Sequence, residues 1–343
     1  MITFLGTEDG IAANRGANPM IDPRSRDRIE LATYRDAFRR PDWHSGAIVF
    51  SDLERLRPLE VSLATELWKR LSASGAPVRL LNHPTRSLLR FALLRRLKAL
   101  GINDFDVWRA DEDRGGMRFP VILHGERDHY GPIGGLIRHR TSLDRALDRL
   151  LEEGRALNGI LVIEFCETRG PDGLYRKLGT FRVGERLVHR HMYHSSHWCV
   201  KTRHGNPIGP EHSAAAIVDE EEAFMLAENF SPMVSEVFRL AAIDYGGMDY
   251  AFRDDGIRVW EINTSPMLGL PEHNPPGTDI FERYVGRSIE VKHEALLALD
   301  PERDDTPFWI EPVIKPRAAA APETGAGWRR LFGGRRARGA GVS

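Results

Sequence analysis

Near the C-terminal end stands GGMDYAFRDDGIRVWEINTSP, two apolar–polar alternations around Asp254-Asp255-Gly256, and it constrains the fold more than any other stretch. Period-two alternation marks strands, and a short Asp/Gly break between two such runs marks a hairpin. The pattern predicts strands Gly247 to Arg253 and Ile257 to Asn263, joined by a three-residue loop that ends on a left-handed Gly256. That loop sets Arg253 opposite Ile257, Ala251 opposite Val259, Asp249 opposite Glu261 and Gly247 opposite Asn263. Asp249, Glu261 and Asn263 then converge on one face, where Gly247 and Ala251 leave room for a ligand. Met248, Tyr250, Phe252, Trp260 and Ile262 fall on the other, a core-quality surface. Opposed carboxylates repel unless something positive lies between them, and a hard divalent cation takes oxygen ligands of this kind. A two-residue turn at Asp255-Gly256 would instead set Asp249 opposite Ile262 and scatter the group.

The 343 residues suffice for a sizeable core and two or three lobes. A formal net charge of −1 gives no overall pull toward nucleic acid. Cys166 and Cys199 have neither metal-type spacing nor the number for a disulfide framework. No apolar run approaches the length of a membrane span, and the N-terminus has no charged-then-apolar leader pattern, so a cytoplasmic protein is the default expectation. Only six of the 48 basic residues are lysine, so each lysine near a site carries extra weight.

GAIVF (Gly46 to Phe50), a helix opening at Pro58 with Leu59, Leu63, Leu67 and Leu71 on one stripe, and VRLLN (Val78 to Asn82) form a strand–helix–strand pattern, hence a parallel layer. Further helices are expected over Thr85 to Leu100, from Thr141 or Ser142 to Gly154, over Asp219 to Ile243 with a break at Pro232, and over Asp279 to Leu299. Further strands are expected at Phe119 to His124, Ile160 to Phe165, Tyr175 to Arg182 and Glu185 to Tyr193. These divide the chain into an N-terminal α/β domain (1–84), a small lobe with a phosphate loop and hinge (85–168), a large lobe with the metal site (169–312) and a disordered basic tail (313–343). The tail clusters arginines around Trp328, Leu331 and Phe332 and is expected to be dispensable for catalysis.

Four stretches in consistent order resemble the ATP-grasp superfamily. MDYAF…VWEINTSP is similar to its Asp…Glu-x-Asn-x-x-Pro metal signature; NHPTRSLLRFALLRRLKALGI is similar to its early helix; FPVILHGERDHYGPIGG resembles its strand and phosphate-covering loop; ILVIEF resembles its hinge strand. The resemblance covers about residues 80 to 270 and looks nearest the glutathione synthetase and ribosomal-protein glutamate ligase branch. It implies an α/β and α+β architecture, the ATP-grasp fold behind an N-terminal Rossmann-like (pre-ATP-grasp) domain. It implies ATP and Mg²⁺, with Asp249, Glu261 and Asn263 as metal ligands and the backbone of the hinge strand, through Phe165 and Cys166, at the adenine edge, while the acid of Glu164 at the end of that strand is expected to meet a polar ligand such as an adenine amino group or ribose. The implied partners are ATP and a small-molecule or peptide acceptor; nucleic acid is not the main partner, and a homodimer is left open.

Read physically, the loop Gly125 to Gly135, with Gly131 and Gly134, offers free N–H groups suited to phosphate oxygens. Arg176, Lys177, Arg182, Arg190 and Lys201 lie on or beside the following strands, and Lys177 and Lys201 are favoured as triphosphate contacts. Three departures from the family pattern stand out. Arg90 and His124 occupy positions where the family carries lysines, and Gly247 occupies the place of an arginine that stabilises the reacting acyl centre in relatives. Arg182 or Arg190 is expected to take over that arginine's role. HRHMYHSSHW holds His189, His191, His194 and His197, either a transition-metal site or, favoured, a strand and loop lining the cleft. The resemblance implies an ATP-dependent carboxylate–amine (or thiol) ligase working through an acyl phosphate. A phosphotransferase and a nucleotide-binding protein without turnover remain as alternatives.

Overall fold

The chain opens on an apolar strand, β1 (Ile2–Gly6), buried along its whole length in the computed structural model, which describes residues 1–16, 23–113, 115–201, 206–266 and 277–315. Helices α1 (Glu8–Gly16) and α2 (Pro23–Arg26), strand β2 (Ile29–Thr33), a single turn α3 (Tyr34–Ala37) and the short β3 (Asp42–His44) follow. Then come β4 (Gly46–Phe50), α4 (Pro58–Ala73) and β5 (Val78–Leu81). The sheet order is β2-β1-β4-β5 with every pair parallel, as the strand–helix–strand pattern predicts. Parallel strands need cover on both faces. Leu67 and Leu71 of α4 cover Leu5, Ile48 and Phe50 on one; Leu59 of the same stripe is 70% exposed and takes no part.

The second lobe begins with α5 (Arg90–Ala99), which starts five residues later than its expected Thr85. It continues with β6 (Val107–Arg109), β7 (Val121–Gly125), β8 (Pro132–Ile137), α6 (Arg140–Glu152) and β9 (Ile160–Glu164). Its sheet, β6-β9-β7-β8, is antiparallel, and α6 packs Leu143, Leu147 and Leu150 against it. The cap of α6 is His139 rather than Thr141 or Ser142.

The third lobe holds β10 (Tyr175–Val183), β11 (Arg186–Ser195), α7 (Ala214–Met225), α8 (Pro232–Ala241), β12 (Tyr245–Arg253), β13 (Gly256–Asn263) and α9 (Gly286–Leu297), which a π-helical turn at Phe281–Val285 precedes. The helical region is broken ahead of Pro232, as expected, and Pro232 starts α8, since proline suits a first helical turn. The antiparallel order is β11-β10-β12-β13. Leu93 and Leu97 of α5 pack with Met248, Val259 and Ile262, which brings Arg90 beside the end of β13.

Two devices join the lobes. Asn82, at the end of β5, donates to Tyr245 O (2.7 Å) and accepts from Asp244 N (2.8 Å) and Tyr245 N (3.0 Å), fixing the start of β12. Ala295, Leu296 and Leu299 cover the second face of the N-terminal sheet together with Phe181 and Tyr245. The chain then returns to the N-terminal lobe, where β14 (Pro307–Trp309) pairs with β3. Val313 and Ile314, expected in the tail, pack on that lobe's core, and Ile314 N donates to Phe38 O (2.8 Å). The expected tail beyond residue 315 lies outside the described residues. No helix among the described residues is long and apolar enough to cross a membrane.

Candidate active site

The β12–β13 hairpin turns on two residues, Asp254-Asp255, so Arg253 faces Gly256 rather than Ile257, and Ala251 faces Arg258 rather than Val259. Gly256 has φ +127°, a conformation that suits glycine. This turn alone would slip the strands by one residue. An extra residue, Trp260, restores the register as a β-bulge, because Tyr250 pairs with Val259 while Asp249 pairs with Glu261. Gly247 faces Asn263, as expected. The bulge is held from outside the sheet: the buried Asn103 donates to Val259 O (2.9 Å) and accepts from Val259 N (3.0 Å). Its cost falls on the expected core face, since Trp260 is half-buried at the cleft and Phe252 is 44% exposed.

Between the antiparallel sheets of the second and third lobes lies a cleft of about 460 Å³, within the range of small-molecule sites. Asp249, Glu261, Asn263, Arg90, His124, Gly131, Glu164, Phe165, Cys166, Lys177, Arg190 and Lys201 all border it. Two expected residues do not. Arg182 turns outward to Gly184 O (2.8 Å) and Glu185, and Gly134 (φ +76°) stands on β8 away from the cleft.

Lys177 Nζ lies 3.4 Å from Asp249 Oδ2 and donates to Lys201 O (3.0 Å), so one lysine ties the carboxylate to the loop that follows β11. The Lys201 side chain comes within 3.7 Å of where a Gly131 Cβ would stand, and Gly131 has φ +87°; glycine there lets the two lobes' loops meet. Arg190 lies over the Phe181 ring (5.1 Å), and its Nη1 is 3.4 Å from the point a Gly247 Cβ would occupy. Its guanidinium therefore stands beside the glycine.

Arg90 makes an ion pair with Glu261 and donates to Gly125 O (2.5 Å) and Asp128 O (2.8 Å). It is thus committed to the protein rather than free for a phosphate. His124, 3.0 Å from Arg90, is held below the ordinary imidazole pKa by burial and then by that charge, so it is neutral near pH 7. Glu164 meets protein instead of a ligand: it accepts from Arg118 N (2.8 Å), Asp106 N (3.0 Å) and the Arg118 guanidinium (2.7 Å). The Phe165 amide donates to Pro120 O (2.9 Å). Burial pushes the Cys166 thiol up to about 11. Arg176 is bound by Asp172 and Glu220.

The histidine run is a packing feature. His189 sits against Phe224 and Phe230, His191 stacks flat on Tyr193 (4.1 Å), and His194 pairs with Glu220 (3.1 Å). Among the described residues no group of three or more His, Cys, Asp or Glu is arranged for a metal. The Asp249, Glu261 and Asn263 set offers two carboxylates and an amide. Asp249 Oδ1 is buried and accepts no hydrogen bond, with His191 Nε2 standing 3.6 Å away. Asn263 Oδ1 accepts one from Ser265 N (2.7 Å). Oxygen donors with one carboxylate oxygen unsatisfied fit Mg²⁺ in kind.

One site residue escaped the sequence. His129, in the β7–β8 loop, places Nε2 2.9 Å from Glu54 Oε1 and Nδ1 3.5 Å from Glu261 Oε2. Burial alone would lower its pKa, but Glu261 and Glu54 push it up to about 9. Burial likewise opposes ionisation of Glu261, and Arg90 with His129 more than reverse that, holding it far below the usual carboxylate range. Nothing near His129 in sequence signals partners in two other lobes.

A parallel N-terminal sheet is followed by two antiparallel lobes that close on a cleft, with this hairpin at its floor. The chain is similar to two solved structures, D-alanine–D-alanine ligase from Bacillus anthracis in complex with ATP (12% identity, 88% of this chain and 97% of that one, TM-score 0.47) and a RimK-domain ATP-grasp protein from Sphaerobacter thermophilus (14%, 87% and 99%, 0.44). No family model and no curated protein matches the sequence.

Proposed function

We propose that the chain is an ATP- and Mg²⁺-dependent carboxylate–amine (or carboxylate–thiol) ligase. The observation that carries this reading is the grouping of Asp249, Glu261 and Asn263 on one face of the cleft with Lys177, Arg190 and Lys201 along its walls. In the reaction a substrate carboxylate oxygen attacks the γ-phosphorus and ADP leaves; the acceptor nitrogen or sulfur then attacks the acyl carbon and expels inorganic phosphate. Bound Mg²⁺ supplies charge neutralisation at the phosphates, with Asp249, Glu261 and Asn263 as its protein ligands. Lys177 and Lys201 add positive charge on the large-lobe side, and the Gly131 backbone covers from the small-lobe side. Arg190, beside Gly247, takes the place of the relatives' arginine and faces the reacting acyl group. We read the segments 1–84, 85–168 and 169–312 as the functional units, with nucleotide between the second and third.

One observation favours a second reading, nucleotide binding without turnover: Arg90 and His129 already neutralise Glu261. Mass spectrometry of products after incubation with ATP, Mg²⁺ and a metabolite extract separates the readings. A ligase yields an amide or thioester with free phosphate. Phosphate retained on the acceptor would mark a phosphotransferase, and ATP left intact with every acceptor would favour binding alone.

A further inference from the structure

Three segments far apart in sequence meet at one imidazole. His129 belongs to the loop between β7 and β8, Glu54 to the 3₁₀ turn Leu53–Arg55 after β4, and Glu261 to β13. Glu54 is 6% exposed and accepts from His129 Nε2 on one oxygen and from Thr264 Oγ1 on the other. Thr264 is fully buried and accepts from Leu53 N (2.9 Å). It follows Asn263 directly, so the N-terminal lobe is seated on the end of β13 through the same carboxylate that holds the loop. The loop's root is fixed separately: Arg90 takes Gly125 O and Asp128 O, and a Cβ at Gly125 would stand 1.8 Å from Asp128 Oδ2. His129 is therefore a point where an already shaped loop fastens to the N-terminal lobe, beside Arg127, whose Nη1 donates to Leu56 O (3.5 Å).

The energetics make this more than packing. A buried carboxylate that loses one hydrogen-bond partner keeps its desolvation cost without the compensating interaction. Opening the loop would leave Glu54 in that state, so opening is penalised for as long as the N-terminal lobe remains seated.

We propose that His129 is a positioning residue that couples closure of the β7–β8 loop to the seating of the N-terminal lobe on β13. The cleft is then shut to water only when all three segments are joined. The coupling stands on geometry; its consequence, protection of an activated acyl group from hydrolysis, rests on the ligase reading above.

The test is hydrogen exchange at the amides of 126–131 in the full-length, nucleotide-free protein, for wild type, His129→Ala, Glu54→Gln and the double variant. Either single change is expected to speed exchange in the loop by about tenfold, with no further gain in the double and no change in β10 or β12. Unchanged loop exchange in both single variants, fully additive effects, or acceleration spread evenly through the protein would each overturn the proposal. A second measurement is the ratio of phosphate released to amide formed, expected to rise several-fold in His129→Ala; an unchanged ratio would also overturn it. If wild type turns over no ATP, the ligase reading fails and the exchange pattern alone decides the coupling.

Discussion

Asp249 has one oxygen 3.4 Å from Lys177 and the other buried without a hydrogen bond, so its charge is only half answered by the protein. Asp249→Asn keeps the shape and removes the charge. ADP release is expected to fall by on the order of a hundredfold with thermal stability little changed; undiminished release would remove Asp249 from the site. His189 supports a different expectation. Burial between Phe224 and Phe230 lowers its pKa to about 4, so the folded chain keeps it neutral while the unfolded chain protonates it near the ordinary value. Its contribution is complete above about pH 6.5 and is lost as pH falls toward 4, amounting to roughly 3 kcal/mol. Chemical denaturation across that window is expected to show the loss in wild type and a flatter profile in His189→Phe. Equal slopes would show that the ring is not held neutral. At this scale the sequence was legible where residues share a hairpin, because register decides who faces whom. It was silent on His129 and Glu54, whose pairing depends on three lobes coming together.

The hairpin shows how an element can be read correctly around its site and wrongly near its turn. Both the expected three-residue loop and the observed two-residue turn with a bulge at Trp260 set Asp249 opposite Glu261. They differ on the solvent side, where Phe252 is exposed and Ala251 is buried. A bulge leaves little trace in sequence; here its support comes from Asn103, more than 150 residues earlier. Inserting one alanine after Trp260 should slip Glu261 and Asn263 past Asp249 by one residue. Nucleotide binding is expected to be lost while circular dichroism keeps its wild-type helix and strand signal. Retained binding would mean that the three oxygens do not act together.

The whole molecule is closed by its own late segment. β14 pairs with β3, Ile310 is 5% exposed in the N-terminal core, and Arg70 donates to Glu311 O and Pro312 O (2.9 and 2.8 Å). Ending the chain after Lys315 is expected to leave the melting temperature and turnover unchanged. Ending it after Thr306 removes the partly buried Phe308 and the buried Ile310 from the N-terminal core, at about 1.5–3 kcal/mol for a fully buried side chain such as Ile310, and should lower the melting temperature by several degrees. Identical melting curves for the two truncations would show that the strap adds nothing. The parallel sheet and the order of the lobes were legible because apolar runs and periodicity are local. The strap was not, since its three strand residues pair with a segment at the other end of the chain.

The central claim is that the cleft receives a nucleotide together with a divalent cation on Asp249, Glu261 and Asn263. Calorimetric titration with ATP, in Mg²⁺ and in EDTA, for wild type and Asp249→Asn, tests it most directly. Wild type in Mg²⁺ is expected to bind saturably, and binding is expected to weaken by about tenfold or more in EDTA or with the variant. No binding by wild type, or one affinity across all four conditions, would contradict it.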